Sequence, residues 1–92
     1  LGSNVTFIGR IGIDDSDGIK ANFLSYGVDV SFLQHCKNQS CGVALIEVEE
    51  KTGKNRIVVV PGANGEVSLE QLASAKERIS NCSYVMLQLE IP

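Results

Sequence analysis

The sequence offers few side chains that could perform chemistry, and their spacing limits what they could do. His35, Cys36 and Cys41 are potential metal ligands, but the two cysteines are not spaced as a CxxC pair. The chain has one histidine, so the four ligands of a zinc site are not completed. With Cys82 the cysteines number three, an odd count that argues against a disulfide framework. We therefore expect reduced thiols, no metal site, and an exposed His35 in a loop.

Carboxylates occur at two places where they could bind a metal ion or a ligand. Asp14, Asp15 and Asp17 precede a helical spacing of apolar residues, so charge at a helix N-terminus explains them better than metal binding does. Glu90 stands at the end of a largely apolar run that predicts a buried strand. Open α/β sheets bind ligands at the edge where the carboxyl ends of their strands lie. Glutamate side chains, however, in general face water. Glu90 is therefore either a ligand-binding carboxylate or a strand-end charge.

One glycine-rich turn, Pro61-Gly62-Ala63-Asn64-Gly65, leads toward a predicted helix. A helix N-terminus can bind phosphate through its free N–H groups. The acidic Glu66 and Glu70 near the start of this helix would oppose such binding, so we predict a turn with no phosphate role. The sequence therefore predicts no catalytic residue, no cofactor-binding residue and no metal ligand.

Three elements are predicted before the middle of the chain. The β-branched and aromatic run from Asn4 to Gly9 predicts a buried strand. Ile19 and Phe23, four residues apart, begin an amphipathic pattern that predicts a helix capped by Gly27. Residues 27–32 alternate apolar with polar side chains and predict a half-buried strand.

A β-hairpin is predicted over residues 42–60. Alternation places Ala44 and Ile46 on one face of its first strand, and Ile57 and Val59 share a face of the second. Because an isolated hairpin is marginally stable in water, it must contact another sheet, a second copy of the chain, or a ligand. The alternative to a ligand is that Ala44, Ile46 and Val59 are flap residues packed on a sheet.

A second helix and a last strand are predicted after the hairpin. Ser68 and Gln71 form a capping box, in which the Gln71 side chain bonds back to the Ser68 N–H. The apolar face of the helix, which is predicted to end near Ser80, is marked by Leu69, Leu72, Ala75 or Lys76, and Ile79. The run over residues 83–89 predicts a parallel strand covered on both faces. The order strand, helix, strand, hairpin, helix, strand predicts an α/β layer with a separate β flap.

Composition excludes several classes of partner. The chain has 92 residues, which fit one small domain, and we expect it to be cut from a longer sequence. Eight basic and eleven acidic residues give a net charge of −3, so no basic field is available for nucleic acid. No apolar run has the length of a membrane span, and the basic-then-apolar layout of a signal peptide is missing. We therefore expect a cytoplasmic protein that binds neither nucleic acid nor membrane.

Five motifs occur in the order in which they occur in ribokinases. They are Asn4-Val5-Thr6-Phe7-Ile8-Gly9-Arg10-Ile11-Gly12, Gly27-Val28-Asp29-Val30, Gly42-Val43-Ala44-Leu45-Ile46, Val60-Pro61-Gly62-Ala63-Asn64 and Gln88-Leu89-Glu90. The chain resembles the middle third of a ribokinase, of the phosphofructokinase-B type of carbohydrate kinase, and the resemblance extends over all 92 residues. The chain departs from the pattern at Cys41, where ribokinases usually have threonine.

The resemblance implies a central, mainly parallel α/β sheet with a β-hairpin lid over residues 42–60. It implies a parent enzyme that transfers the γ-phosphoryl group of ATP to a sugar, ribose, with magnesium and a stimulating potassium ion as cofactors. Positions that match Ala44, Ile46 and Val59 cover the sugar in the family, and the position of Glu90 contacts a sugar hydroxyl. The resemblance also implies a homodimer formed through the lid strands.

The motifs that do the chemistry in the family are not found in these 92 residues. Phosphoryl transfer requires amides around the phosphates, a metal site and a base. The family's Gly-Ala-Gly-Asp and Asn-x-x-Glu motifs lie downstream of the matched segment, so these residues would supply the lid and part of the sugar pocket. A non-enzymatic alternative is a stand-alone module that pairs with a partner through its hairpin edges, where Val58 and Val60 lie on the outer face.

Overall fold

A computed structural model describes residues 2–14 and 18–92. Its elements are β1 (Thr6–Ile11), α1 (Gly18–Ser25), β2 (Asp29–His35), β3 (Val43–Val48), β4 (Asn55–Val60), a 3-10 helix (Gly62–Glu66), α2 (Leu69–Ser74) and α3 (Lys76–Ser80). The predicted order of elements up to the second helical region is confirmed, and so is the α/β class. Asp15 and Asp17, predicted to lie at the start of a helix, fall outside the described residues.

The first two strands form a parallel pair joined by α1, the arrangement of a βαβ unit. The helix α1 ends as predicted, because Gly27 adopts a φ of 72° that side-chain-bearing residues rarely tolerate. Both strands extend further toward their carboxyl ends than the sequence pattern predicts, and Ile11 pairs with His35 there. His35 is exposed as expected, but it ends β2 instead of lying in a loop.

Helices cover the two faces of this parallel pair. On one face, the ring of Phe7 in β1 stacks on Phe23 of α1 with centroids 4.5 Å apart. On the other face, Arg78 of α3 donates from Nε to Thr6 Oγ1 at 2.7 Å. The hydrophobic core between these layers is small, and among the described residues its buried apolar members are Ile11, Leu33, Cys36, Ala63, Val67 and Ala75.

The predicted second helix is divided in two, and its buried face matches the prediction only in part. Ala75 has φ −95° and ψ 5°, which interrupts the helix between α2 and α3. Ala75 is buried as predicted and Ile79 is half-buried, but Leu69 is 84% exposed, and the buried side chain one turn before Ala75 is Gln71. Ser68 Oγ accepts from the Gln71 N–H at 3.2 Å, which confirms half of the capping box. The other half is wrong, because the Gln71 side chain bonds to the sheet instead.

The predicted last strand over residues 83–89 is not formed in the structure. These residues follow α3 as an irregular, exposed segment in which Met86 is 96% exposed. A strand exists only through hydrogen bonds to a neighbouring strand. Among the described residues, the strands pair only as β1 with β2 and β3 with β4, so the apolar run has no neighbour.

The hairpin forms as predicted, with β3 and β4 paired in an unbroken antiparallel register from Val43 opposite Val60 to Val48 opposite Asn55. Gly53 adopts a φ of 70° in the turn between them. Every residue of both strands is exposed. The hairpin therefore projects from the α/β layer instead of packing on it.

Candidate functional site

The hairpin register brings three of the predicted site residues together. Ala44 lies opposite Val59, and Ile46 lies opposite Ile57. Residues directly opposite each other, and residues two apart in one strand, share a face of a sheet. These four aliphatic side chains therefore form one continuous surface, named here the inner face. The inner face is exposed in the structure, so its residues are not packed on a sheet within the described chain.

Glu90, the fourth predicted site residue, lies in the irregular segment after α3. Its backbone N–H donates to Gln88 Oε1 at 2.9 Å, and the residue is exposed. No hydrogen bond or ion pair within residues 2–14 and 18–92 joins the Glu90 carboxylate to the inner face. The carboxylate is therefore available as an acceptor, but the structure does not bring it to the hairpin.

The two ends of the hairpin are fixed where they leave the α/β layer, a region named here the hairpin root. The Ala63 N–H donates to the Ser40 carbonyl at 2.8 Å, which closes the base of the hairpin. The Ile13 N–H donates to the Gln39 carbonyl at 2.8 Å, which ties the root to the chain that leaves β1. The Gly12 N–H donates to Cys41 Sγ at 3.1 Å. The thiol of Cys41, in the position of the family's usual threonine, therefore serves as a hydrogen-bond acceptor here.

Two glycines make the hairpin root possible. A Cβ atom on Gly12 would lie 2.0 Å from the backbone nitrogen of Cys41, so only glycine lets these two segments meet. Gly62 has a φ of 51°, and a Cβ atom there would lie 2.5 Å from the Ser40 carbonyl oxygen. Sequence reasoning placed both glycines in motifs without recognising that they pack against one turn.

Asp14 belongs to the hairpin root, which differs from its predicted role as a helix-start charge. Its Oδ1 accepts from the Cys41 N–H at 2.7 Å. This hydrogen bond holds the pKa of the Asp14 carboxyl below its ordinary value, because it stabilises the ionised form. No group of three His, Cys, Asp or Glu side chains that could hold a metal ion occurs among the residues that the structure describes.

The glycine-rich turn forms the 3-10 helix Gly62–Glu66, and two of its amides have partners within the chain. The Ala63 N–H is used by Ser40, and the Asn64 N–H donates to the Pro61 carbonyl at 3.1 Å. Because a phosphate site needs free N–H groups that converge, these amides do not form one. The turn therefore closes the hairpin root.

Comparison with known proteins places the chain in a family. The family model described as pfkB family carbohydrate kinase matches residues 1–89. The chain belongs to the pfkB family of carbohydrate kinases. The match includes the hairpin, its root and the segment after α3 as far as Leu89, and it confirms the resemblance predicted from the motifs.

The pfkB-family relatives include ribokinases. A ribokinase of Schizosaccharomyces pombe (strain 972 / ATCC 24843) is 40% identical over 92 residues, which cover 98% of this chain and 28% of the relative. The structure of the ribokinase from Giardia lamblia superposes with a TM-score of 0.84 at 27% identity, over 100% of this chain and 30% of that one. The chain thus spans less than a third of the length of these relatives.

A third pfkB-family comparison concerns a nucleotide complex. The ribokinase from Cryptococcus neoformans var. grubii serotype A, solved in complex with ADP, superposes with a TM-score of 0.61 at 34% identity. That match covers 74% of this chain and 21% of the Cryptococcus chain.

No helix within the described ranges is long and apolar enough to cross a membrane.

Proposed function

We propose that these residues belong to an ATP-dependent sugar kinase of the ribokinase type, which converts ribose and ATP to ribose 5-phosphate and ADP. In this enzyme the hairpin of residues 42–60 is a lid over the sugar. The observation that carries the proposal is the inner face, where the register gathers Ala44, Ile46, Ile57 and Val59 on one exposed aliphatic surface. The family membership and the ribokinase relatives support it.

The chemistry of the proposed site follows from the two kinds of group that the chain supplies. A sugar ring presents C–H groups on its faces and hydroxyl groups at its edge, so an aliphatic inner face suits the ring. The carboxylate of Glu90 suits a hydroxyl, because hydrogen bonds to an ionised acceptor are about twice as strong as neutral ones. Closing the lid over the ring would also exclude water, which strengthens that bond. We propose that Ala44, Ile46, Val59 and Glu90 bind the substrate.

ATP, magnesium and potassium are proposed cofactors of the parent kinase. The amides of the glycine-rich turn are used within the hairpin root. The described acidic, cysteine and histidine side chains form no group suited to a metal ion. Other parts of the kinase therefore hold the nucleotide and the metal ions. We also propose a cytoplasmic enzyme, since ribose and ATP are small intracellular substrates.

Substitutions at both parts of the pocket test the proposal in the complete kinase. Glu90→Ala removes a charged hydrogen bond and should weaken ribose binding about 10- to 150-fold. Ala44→Leu should also weaken ribose binding, because a longer side chain on the inner face takes the space of the ring. Titration calorimetry with ribose and with ATP measures both affinities for each variant.

Glu50→Ala, in the exposed turn of the hairpin, is the matched control for loss of a carboxylate. It should leave both affinities unchanged, and all three variants should melt near the parent temperature. Ribose affinity that stays unchanged in Glu90→Ala would make Glu90 a solvent-facing charge instead of a substrate ligand.

We further propose that the opposite face of the hairpin, named here the outer face, forms a homodimer. The register places Val43, Leu45, Val58 and Val60 together on it, and each of these side chains is at least half exposed. A second copy of the chain supplies a matching apolar face, and covering such surface is favourable at about 25 cal/mol per Å². The outer face would also serve the alternative function, that of a stand-alone, non-catalytic module that pairs with a partner. No separate observation on this chain favours that alternative.

Val58→Lys should weaken the dimer, because the charge would have to leave water on association. Thr52→Lys adds the same charge in the turn, away from the outer face, and should not weaken it. Sedimentation velocity over a range of concentrations measures the change. A parent protein that sediments as a monomer at every concentration would contradict the dimer while leaving the kinase proposal intact.

A further inference from the structure

Arg10 carries a positive charge that is not paired with a carboxylate in the part of the chain that the structure describes. It is the fifth residue of β1 and is half-buried. Its Nε donates to Gln71 Oε1 at 3.0 Å. Among the residues that the structure describes, the ion pairs are Arg56 with Glu47 and Arg78 with Asp29, so Arg10 has no carboxylate partner. A half-buried guanidinium without a counter-charge is costly unless an anion compensates it.

The orientation of Arg10 is fixed by a buried side chain. Gln71 is 2% exposed, and its Nε2 donates to the Gly9 carbonyl at 2.7 Å and to the Phe32 carbonyl at 3.0 Å. With both amide hydrogens used, the Gln71 Oε1 is held toward Arg10. The contact uses only Nε, and the two terminal nitrogens of the guanidinium make no hydrogen bond with described residues. The guanidinium is therefore a pre-oriented donor with free N–H groups.

Arg10 lines a polar cavity of about 430 Å³. The cavity lies where β1 and β2 end, since its walls include Arg10 and also His35, the residue that pairs with Ile11. Lys37 adds a second cation, and the amide of Asn38 adds a neutral donor. Open α/β sheets bind ligands beyond the carboxyl ends of their strands, which is the position of this cavity.

We propose that this cavity binds a small oxyanion of the phosphate or sulfate class, with Arg10 as its principal ligand and Lys37 as a second. A guanidinium fork matches two oxygens of such an anion, and an ammonium group adds charge without fixed geometry. Glu66, which also lines the cavity, opposes binding by repulsion. The site is distinct from the inner face and does not depend on the proposed kinase activity.

The test uses the complete polypeptide that contains this chain, without nucleotide or sugar, titrated with sodium sulfate at constant ionic strength. Arg10→Gln should lower sulfate affinity by roughly tenfold or more, because it removes a charged, bidentate donor. Glu66→Gln should raise the affinity, because it removes the repelling charge. Arg56→Gln, which removes an arginine from the exposed hairpin, should leave it unchanged.

Two further measurements separate loss of the site from loss of the fold and identify the source of the anion. Lys37→Gln changes an exposed side chain and should lower sulfate affinity without changing the melting temperature. Titration with glycerol 3-phosphate distinguishes a phosphate ester from a free ion: tighter binding than sulfate, lost in Arg10→Gln, assigns the site to esters. Binding of sulfate alone, lost in the same variant, assigns it to free oxyanions.

Three outcomes would overturn the proposal. One is the absence of saturable binding of either anion to the parent protein. Another is equal affinity in the parent, Arg10→Gln and Lys37→Gln, which would place the anion elsewhere. The third is a Glu66→Gln variant that weakens anion binding and melts earlier, which would make Glu66 the structural counter-charge of Arg10.

Discussion

Gln71 is the side chain that joins the second helical region to the parallel strands. A single buried amide donates to carbonyls of β1 and β2 and accepts from Arg10. The capping-box pattern predicted a local role for it, a bond back to the Ser68 N–H. The tertiary partners prevail because Gln71 is buried against the strands, where its amide reaches the carbonyls of Gly9 and Phe32. A local rule could not predict this, since the competing acceptors lie 39 and 62 residues away.

Replacing Gln71 by methionine should lower the free energy of unfolding by about 1–3 kcal/mol. Methionine has nearly the same length, so the loss would come from the unpaired carbonyls of Gly9 and Phe32 and the released Arg10. Chemical denaturation of the complete polypeptide measures the change. Gln34→Met, at an exposed position of β2, should change stability by less than about 0.5 kcal/mol. Equal stability of the two variants would contradict the role given to Gln71.

The hairpin is attached to the α/β layer through its root, where backbone contacts leave little freedom. Gly12 allows the chain that leaves β1 to touch the backbone of Ser40 and Cys41. Asp14 then accepts a hydrogen bond from the Cys41 N–H, and the thiol of Cys41 accepts one from the Gly12 N–H. The position of the inner face thus depends on a turn that contains none of its residues.

Gly12→Ala should disturb this root and destabilise the protein by about 1–3 kcal/mol. The new Cβ would lie 2.0 Å from the Cys41 nitrogen, a backbone atom that no side-chain rotation can move away. Gly65→Ala is the matched control, since its Cβ would make an ordinary contact of 3.6 Å with Pro61. Amide hydrogen exchange should show a faster Cys41 N–H in Gly12→Ala only. An unchanged exchange rate at Cys41 would show that the root tolerates the added atom.

Sequence pattern predicted those elements whose signal is local. The period-two alternation around Ala44 and Ile57 correctly predicted both hairpin faces, and Gly27 correctly marked the end of α1. The pattern could not predict the interruption at Ala75, because alanine is the best helix former and gives no local signal for a break. It also predicted a strand over residues 83–89 from composition alone, although pairing, not composition, makes a strand. For the two hairpin strands, the face on which each residue lies was predictable, whereas the tertiary partners of Gln71 were not.

The molecule exposes more surface than a compact domain of its mass. Its accessible surface is 7549 Å², whereas a folded monomer of this size exposes about 5,200 Å². Its radius of gyration is 15.5 Å against about 12 Å for a compact chain of this length. The hairpin and the segment after α3 account for much of the exposed apolar surface. These faces need further polypeptide, a second copy or a ligand to cover them.

These 92 residues alone should show no sugar-dependent turnover of ATP. Phosphoryl transfer depends on donors and metal ions around the phosphates. The described amides and carboxylates are not arranged for that task. A coupled assay with the purified chain, ribose, ATP, magnesium and potassium measures turnover, and the complete kinase is the positive control. Turnover that remains after repurification would contradict this prediction.

The hairpin begins and ends at nearly the same point, because one hydrogen bond from the Ala63 N–H to the Ser40 carbonyl spans its base. A segment whose ends almost touch can be lengthened, shortened or exchanged while the elements on either side keep their positions. In evolutionary terms, residues 41–62 therefore have the geometry of an addition to an older α/β layer. Descendants of such a layer can change this one insertion, while the parallel strands and their helices stay under separate selection for stability.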